Sequence, residues 1–202
     1  MATEHIDEIL DYWFGAPPET EDEDPRPTGQ ELWFQKSARI DKEIEKRFGG
    51  LVTKALAGDL DDWATTGRGR LALILLLDQF PRNIHRDRAE AFAGDEKALQ
   101  LCFDGLDDAL DRQLPAVQRC FFYMPAMHAE DVDAQLASVE VFEELAGEVG
   151  EADKELCEVF LGHARKHRDA VERFDRFPWR NAVLDRNSST EEGAFLQQTG
   201  RM

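Results

Sequence analysis

The chain of 202 residues has little of what would make it a secreted, membrane or redox protein. It has three cysteines, Cys102, Cys120 and Cys157, an odd number at wide spacing with no C-x-x-C pair. That pattern fits reduced thiols acting as small hydrophobes better than a disulfide framework. Long apolar runs are missing as well. The longest, Leu71 to Leu77, is far too short to span a bilayer, and the start of the chain is acidic where a secretory leader would be basic, so a cytoplasmic location is expected. Basic residues are scarce, 24 against 42 acidic, and the formal charge of −18 disfavours nucleic acid and anionic membrane as partners. Strand-like alternation is nearly absent. So are the glycine fingerprints of nucleotide-binding loops and the Gly-x-Ser-x-Gly elbow of serine hydrolases.

What is present is helical periodicity over nearly the whole length, with thirteen Phe and four Trp to fill a core. The spacing predicts a first helix over 4–14 ended by a left-handed Gly15, and an acidic, Pro-rich surface loop over 16–30. A long helix capped by Ser37 and ended by Gly58 follows. The apolar segment 71–77 reads as a central helix delivering Asp78 and Gln79 at its end. Asp95 is the expected cap of the next helix. Another starts after Pro115 and breaks at Pro125, and Asp131 caps the one beyond. A long helix over 152–174, a capping box at Ser189–Glu192 and a frayed tail over 197–202 complete one all-α domain, 1–202, of antiparallel helical hairpins. The sequence does not specify an oligomeric state.

One short phrase occurs twice. Gln79-Phe-Pro-Arg-Asn83 closes the central helix, and Arg176-Phe-Pro-Trp-Arg-Asn181 follows the long C-terminal one. A proline removes a backbone donor and clashes with the preceding turn, so each phrase reads as a helix stop that presents an Arg-Asn pair. Arginine offers a rigid fork of donors for carboxylate or phosphate, and asparagine adds a neutral donor and acceptor. Arg82, Asn83, Arg180 and Asn181, with Asp78, Gln79, Arg168 and Arg176 beside them, are therefore candidate ligand-binding residues for a small anionic molecule. The structural alternative pairs each arginine with Asp78 or Asp169 and uses each asparagine to close its turn.

His128, Glu130 and Asp131 set one imidazole beside two carboxylates, a combination able to exchange protons, and His167 supplies a second imidazole ahead of the second corner. These four are the candidate catalytic residues. Their structural alternative is a helix start, with Asp131 as cap. His163 and His167 stand one turn apart but lack a third ligand, so no metal and no cofactor are expected.

The motifs Trp13-Phe14, Trp33-Phe34, Leu77-Asp-Gln-Phe-Pro-Arg-Asn83, His128-x-Glu-Asp131, His167-Arg-Asp169 and Arg176-Phe-Pro-x-Arg-Asn181, in this order, resemble the bacterial domain-of-unknown-function 924 family over roughly residues 6–196. The resemblance implies a tetratricopeptide-like helical fold and no particular activity. Trp179 stands where that family usually has histidine, and Asp175 and Asp185 where it usually has glycine. Two functions follow as expectations: a binder of, or enzyme on, a small anionic molecule, with Trp13, Trp33 and Trp179 as an apolar wall, or a helical adaptor for a protein or peptide.

Overall fold

The structure, a computed structural model, describes residues 2–15 and 29–199, the side chains of 30, 31 and 199 excepted. The described part is all-α, with no strand among these residues. The order is α1 (Ala2–Phe14), α2 (Gly29–Phe34), α3 (Ala38–Ala57), α4 (Gly67–Ile74), a π-turn (Leu75–Gln79), α5 (Phe80–Ile84), α6 (Asp95–Asp107), α7 (Ala116–His128), α8 (Val132–Glu148), α9 (Glu151–Phe174) and α10 (Thr190–Thr199). Most of the expected acidic loop, 16–28, and the last three residues lie outside the described part, whereas 29–30 already belong to α2 and 197–199 to α10.

The segment Leu71 to Leu77 is fully buried at every position, because no face of it is polar and each of its sides must be covered by another helix. α1, α3, α6 and α7 pack around it. Trp13, Phe48, Phe80, Phe121 and Phe160 are among the aromatic residues of the core, with Trp13 tilted on Phe80 at 5.4 Å and edge-on to Phe121 at 5.8 Å. α8 and α9 form a hairpin that closes the molecule on the α7 side.

Local capping follows the residue chemistry. Ser37 accepts from the Ile40 N–H and starts α3, and Gly58, at φ 88°, ends it in the left-handed conformation open to a residue without Cβ. Asp131 accepts from the Ala134 N–H at 2.8 Å and starts α8. At α10 the Ser189 hydroxyl accepts the Glu192 N–H while Glu192 accepts the Ser189 N–H, a closed capping box. Gln135 donates from one amide nitrogen to the carbonyls of Met127 and Ala129, satisfying carbonyls at the C-terminal end of α7.

Four local expectations are corrected. Gly15 does not adopt a positive φ; its N–H bonds Asp11 O at 2.9 Å and simply extends the last turn of α1. Pro81 does not stop the central helix. The preceding turn widens into a π-turn, in which the Phe80 N–H reaches back to Leu75 O, and Pro81 falls in the first turn of α5, where an N–H is not needed. Pro125 sits inside α7, which runs on to His128, since the loss of one bond near a helix end is small beside the burial of Phe121, Phe122 and Met127. Asp95 is the first residue of α6 rather than its cap, which is Gly94.

The second phrase does form a corner. α9 ends at Phe174, Asp175 turns left-handed at φ 57°, and a short 3₁₀ turn over Pro178–Arg180 follows. Asp185 is also left-handed, at φ 52°. Both aspartates thus hold the backbone conformation that favours glycine.

Candidate functional site

α5 and the segment after it, the end of α7, the second half of α9 and the second corner meet around a cavity of about 360 Å³. Arg82, His128, His167 and Arg180 all line it, so side chains far apart along the chain share one wall. The apolar lining comes from Phe34, Phe92, Met124, Met127, Phe160 and Trp179. Lys36 and Arg86 add two more cations. A second cavity of about 260 Å³ adjoins it, sharing Phe34, Lys36, Arg82, Arg86, Met124 and His128, and is otherwise lined by Trp13, Leu32, Trp33, Gln35, Gln79 and Asn83.

The floor is a buried charge network. Asp78, delivered by the π-turn, is wholly buried, and its carboxylate lies 2.7 Å from His128 Nδ1 and 3.1 Å from Arg82 Nη1 and also accepts from Gln79 Nε2. Burial alone would raise its pKa, but Arg82, His128 and Gln79 outweigh that and hold it well below the usual carboxylate range. An ionised carboxylate only accepts. His128 therefore carries its proton on Nδ1 and leaves Nε2 as a lone-pair atom on a cavity-lining ring. Burial, with Arg82 and Arg180 nearby, pushes the His128 pKa down although Asp78 opposes it, so the ring is neutral at neutral pH.

His167 has the same tautomer by a different route. Its Nδ1 donates to the His163 carbonyl at 2.9 Å, and burial first, then the neighbouring His128, lower its pKa to about 3. The two ring centroids are 6.2 Å apart. The cavity thus presents two neutral imidazoles whose Nδ1 atoms are occupied and whose Nε2 atoms can accept.

Arg82 and Arg180 share one carboxylate, Asp95. Arg82 grips it bidentately at 2.8 and 3.0 Å, and Arg180 reaches its Oδ2 at 3.3 Å while donating to His128 O at 2.9 Å. The Arg180 guanidinium is sandwiched between the rings of Phe92 and Phe177, at 4.5 and 4.7 Å from their centroids. Burial and the repulsion of Arg82 press its pKa down to about 10 despite Asp95. Arg82 is shifted the other way, because Asp78 and Asp95 together more than offset its burial. Arg86 is held by Asp41 at 2.7 Å, whereas Lys36 is exposed and has no carboxylate within ion-pair distance among the described residues.

Several expected site residues are placed elsewhere. Glu130 is a bracket for the second corner: it accepts the Phe177 N–H at 2.7 Å and both terminal nitrogens of Arg186 at 2.6 and 2.8 Å. Asp131 is the exposed cap of α8. Arg168 pairs with its neighbour Asp169 on the outer face of α9. Arg176 pairs with Glu192, and Asn181 donates to Ser188 and Glu192, so both fasten α10 rather than line the cavity. Of the structural partners considered from sequence, Asp78 does bind Arg82, while Arg180 takes Asp95 instead of Asp169. Asp95, Lys36, Arg86 and Phe92 are the contributors that sequence reasoning missed. The only local hint was the position of Asp95 just before an amphipathic stretch, which read as a cap.

Neither cavity is lined by a Ser, Thr, Tyr or Cys side chain. Cys102 and Cys120 are buried in the core, and burial pushes both thiols far up. The arrangement can bind an anion and move a proton through an imidazole, but it offers no hydroxyl or thiol nucleophile. No group of three or more His, Cys, Asp or Glu side chains is arranged to hold a metal among the described residues, and no helix there is long and apolar enough to cross a membrane.

The same architecture is found in the "Structure of Protein of Unknown Function ATU0120 from Agrobacterium tumefaciens", which is 34% identical, covers 98% of this chain and 99% of its own, and superposes with a TM-score of 0.81. No curated protein matches the chain. Residues 9–200 match the family described as "Bacterial protein of unknown function (DUF924)", and the chain belongs to that family.

Proposed function

We propose that the protein binds a small anionic molecule with an apolar body, and that the Asp78–His128 pair exchanges a proton with it or with a water beside it. The observation that carries this reading is the position of Arg180. It is buried on a cavity wall between two aromatic rings, shares its one carboxylate with a second arginine, and is pressed toward deprotonation, so an incoming anion relieves the repulsion between the two guanidiniums. Phe34, Phe92, Phe160 and Trp179 suit the apolar body.

If a reaction occurs, the Asp78–His128 pair suits acid–base chemistry. Nε2 of His128 would take a proton and Asp78 would steady the imidazolium that results. The alternative, an adaptor for a protein or peptide, draws on exposed Val132 and Leu136 of α8 and Val159 of α9. The gathering of Arg82, Arg180, His128 and His167 on one cavity supports the small-molecule reading over it.

The test is a thermal-shift panel of aromatic and aliphatic carboxylates and phosphates, because a ligand that binds only the native state raises its melting temperature. A hit should weaken at least tenfold in Arg180→Gln, roughly the value of one charge-assisted hydrogen bond. A hit of equal strength in the variant, or none across the panel while a peptide library binds at α8 and α9, would overturn the reading.

A further inference from the structure

Beside the guanidiniums of Arg82 and Arg180, which only donate, the first cavity carries two groups that can only accept. His128 and His167 both line it as neutral rings. On His128 the Nδ1–H is committed to Asp78, a side chain with no accessible surface, whereas the histidine side chain keeps 13% of its own. The part of the ring turned to the cavity is therefore the part away from Asp78, which carries Nε2. On His167 the Nδ1–H points back along its own helix to the His163 carbonyl, so Nε2 faces away from α9. Neither Nε2 has a hydrogen-bond partner among the described residues, and neither is one of the buried polar atoms left unpaired, so both keep accessible surface. Each is a bare lone pair waiting for a donor.

Of the two, His128 is tied directly to both cations. Arg82 Nη1 and His128 Nδ1 meet the same oxygen, Oδ1 of Asp78, at 3.1 and 2.7 Å. Arg180 Nη2 in turn donates to the His128 carbonyl at 2.9 Å. The acceptor and the two guanidiniums are thus close enough for neighbouring substituents of one small ligand to touch them together. The donor that suits this acceptor is uncharged. Beyond burial, Arg82 and Arg180 press the His128 imidazole toward its neutral form against Asp78, and beyond burial and His128, Arg180 does the same to His167. The field that disfavours an imidazolium there also repels a ligand ammonium, whereas a hydroxyl brings its O–H dipole without net charge.

Resting on the anion-binding reading, we infer that the ligand is a 2-hydroxy carboxylate with an apolar body: its carboxylate lies at Arg180 and Arg82, its hydroxyl donates to Nε2 of His128, and its body packs against Phe34, Phe160 and Trp179. A 2-amino acid of the same shape is excluded by charge, because its ammonium would stand among Arg82, Arg180 and Lys36, all of which line the same cavity. The site therefore reads the substituent next to the carboxylate and not the carboxylate alone.

The test compares three compounds that share an aromatic body and a carboxylate and differ only in the substituent beside it: 3-phenylpropionate with hydrogen, 3-phenyllactate with a hydroxyl, and phenylalanine with an ammonium. Calorimetric titration at neutral pH should find the better enantiomer of phenyllactate bound about three- to tenfold more tightly than phenylpropionate, the worth of a neutral hydrogen bond, and phenylalanine bound more weakly than either. Phenyllactate alone should shift the lone-pair nitrogen resonance of His128 in the ¹⁵N spectrum of histidine-labelled protein, a reading made on the wild-type chain with its buried network intact. Equal binding of phenylpropionate and phenyllactate, phenylalanine as the tightest of the three, or a preference for phenyllactate with the His128 resonance unmoved would overturn the hydroxy-acid inference and leave the anion site standing. Absence of binding by all three at millimolar concentration would overturn the anion-binding reading and this inference with it.

Discussion

His167 makes the stability of the molecule sensitive to mild acid. In the unfolded chain the ring titrates near 6.5, and in the folded one its pKa is pushed down to about 3 by burial and by His128. Between these values the unfolded state binds a proton that the native state refuses, so stability falls as the pH drops below about 6.5. One pKa unit corresponds to about 1.36 kcal/mol, so the window from about pH 6.5 to about pH 4.5 spans at most about 2.7 kcal/mol for this ring. Water entering the cavity screens part of that, which leaves about 1–2 kcal/mol. His128 is shifted in the same direction and adds to the slope. The depressed carboxyl groups of Asp41, Asp78 and Glu130 act in a separate window, since they lose their contribution only below about pH 4.3, where the unfolded carboxylates protonate. The assay is urea unfolding followed by circular dichroism at several pH values, for the wild type and for His167→Phe. Phenylalanine keeps an aromatic ring against Phe177 and Trp179, which His167 meets edge-on at 5.1 and 5.3 Å, but cannot titrate. The variant should lose about half or more of the slope between about pH 6.5 and about pH 4.5. A wild type equally stable across that range, or a variant with the full wild-type slope, would refute the burial of a neutral imidazole.

Three further outcomes test the frame of the site. A Cβ at Gly94 would run into the Leu77 carbonyl in the π-turn, so Gly94→Ala should cost about 1–3 kcal/mol in urea unfolding, as α6 and its Asp95 are pushed off Arg82. Glu130→Gln keeps the shape of the bracket but removes its charge from Arg186, and should lower stability by about 1–3 kcal/mol at neutral pH, with the difference from wild type shrinking below about pH 4.3 as Glu130 itself protonates. Asp175→Gly and Asp185→Gly relieve left-handed backbone at φ 57° and 52°, and each should leave stability unchanged or raise it by up to about 1 kcal/mol, read as a higher melting temperature.

Much of the architecture was legible because its causes are local. An all-apolar run such as Leu71 to Leu77 has one placement open to it, and caps such as Ser37, Asp131 and the Ser189–Glu192 box announce helix starts within four residues. The prolines misled because a helix can widen before Pro81, and because the core contacts of α7 outweigh the one bond lost at Pro125. The site divides along the same line. A repeated Phe-Pro phrase flags Arg82 and Arg180, but nothing within a few residues of Asp95 foretells partners 13 and 85 positions away. Glu130 and Asp131 are adjacent in sequence and chemically alike, yet one accepts from Arg186 across 56 positions and the other caps its own helix. Local pattern names the helices; only packing sorts the carboxylates.

Trp179 narrows the chemistry further. Its indole stacks on Phe177 at 4.8 Å and presents its edge to His167 at 5.3 Å. An indole donates a hydrogen bond but has no lone pair to receive a proton, so Trp179 serves the cavity as wall. On the proposed reading proton exchange falls to His128 or His167, and these are not equivalent. The His167 Nδ1–H faces a neutral carbonyl, which does little for an imidazolium, whereas the His128 Nδ1–H faces an ionised carboxylate that Arg82 and Gln79 hold in place. A carboxylate behind Nδ1 strengthens the base at Nε2 and stabilises the cation formed when a proton arrives. Arg180, bonded to the His128 carbonyl and stacked between Phe92 and Phe177, places a guanidinium beside that base. On the proposed reading, the cation that would receive the ligand and the ring that would receive its proton are set by one small group of contacts, and neither role calls on residue 179.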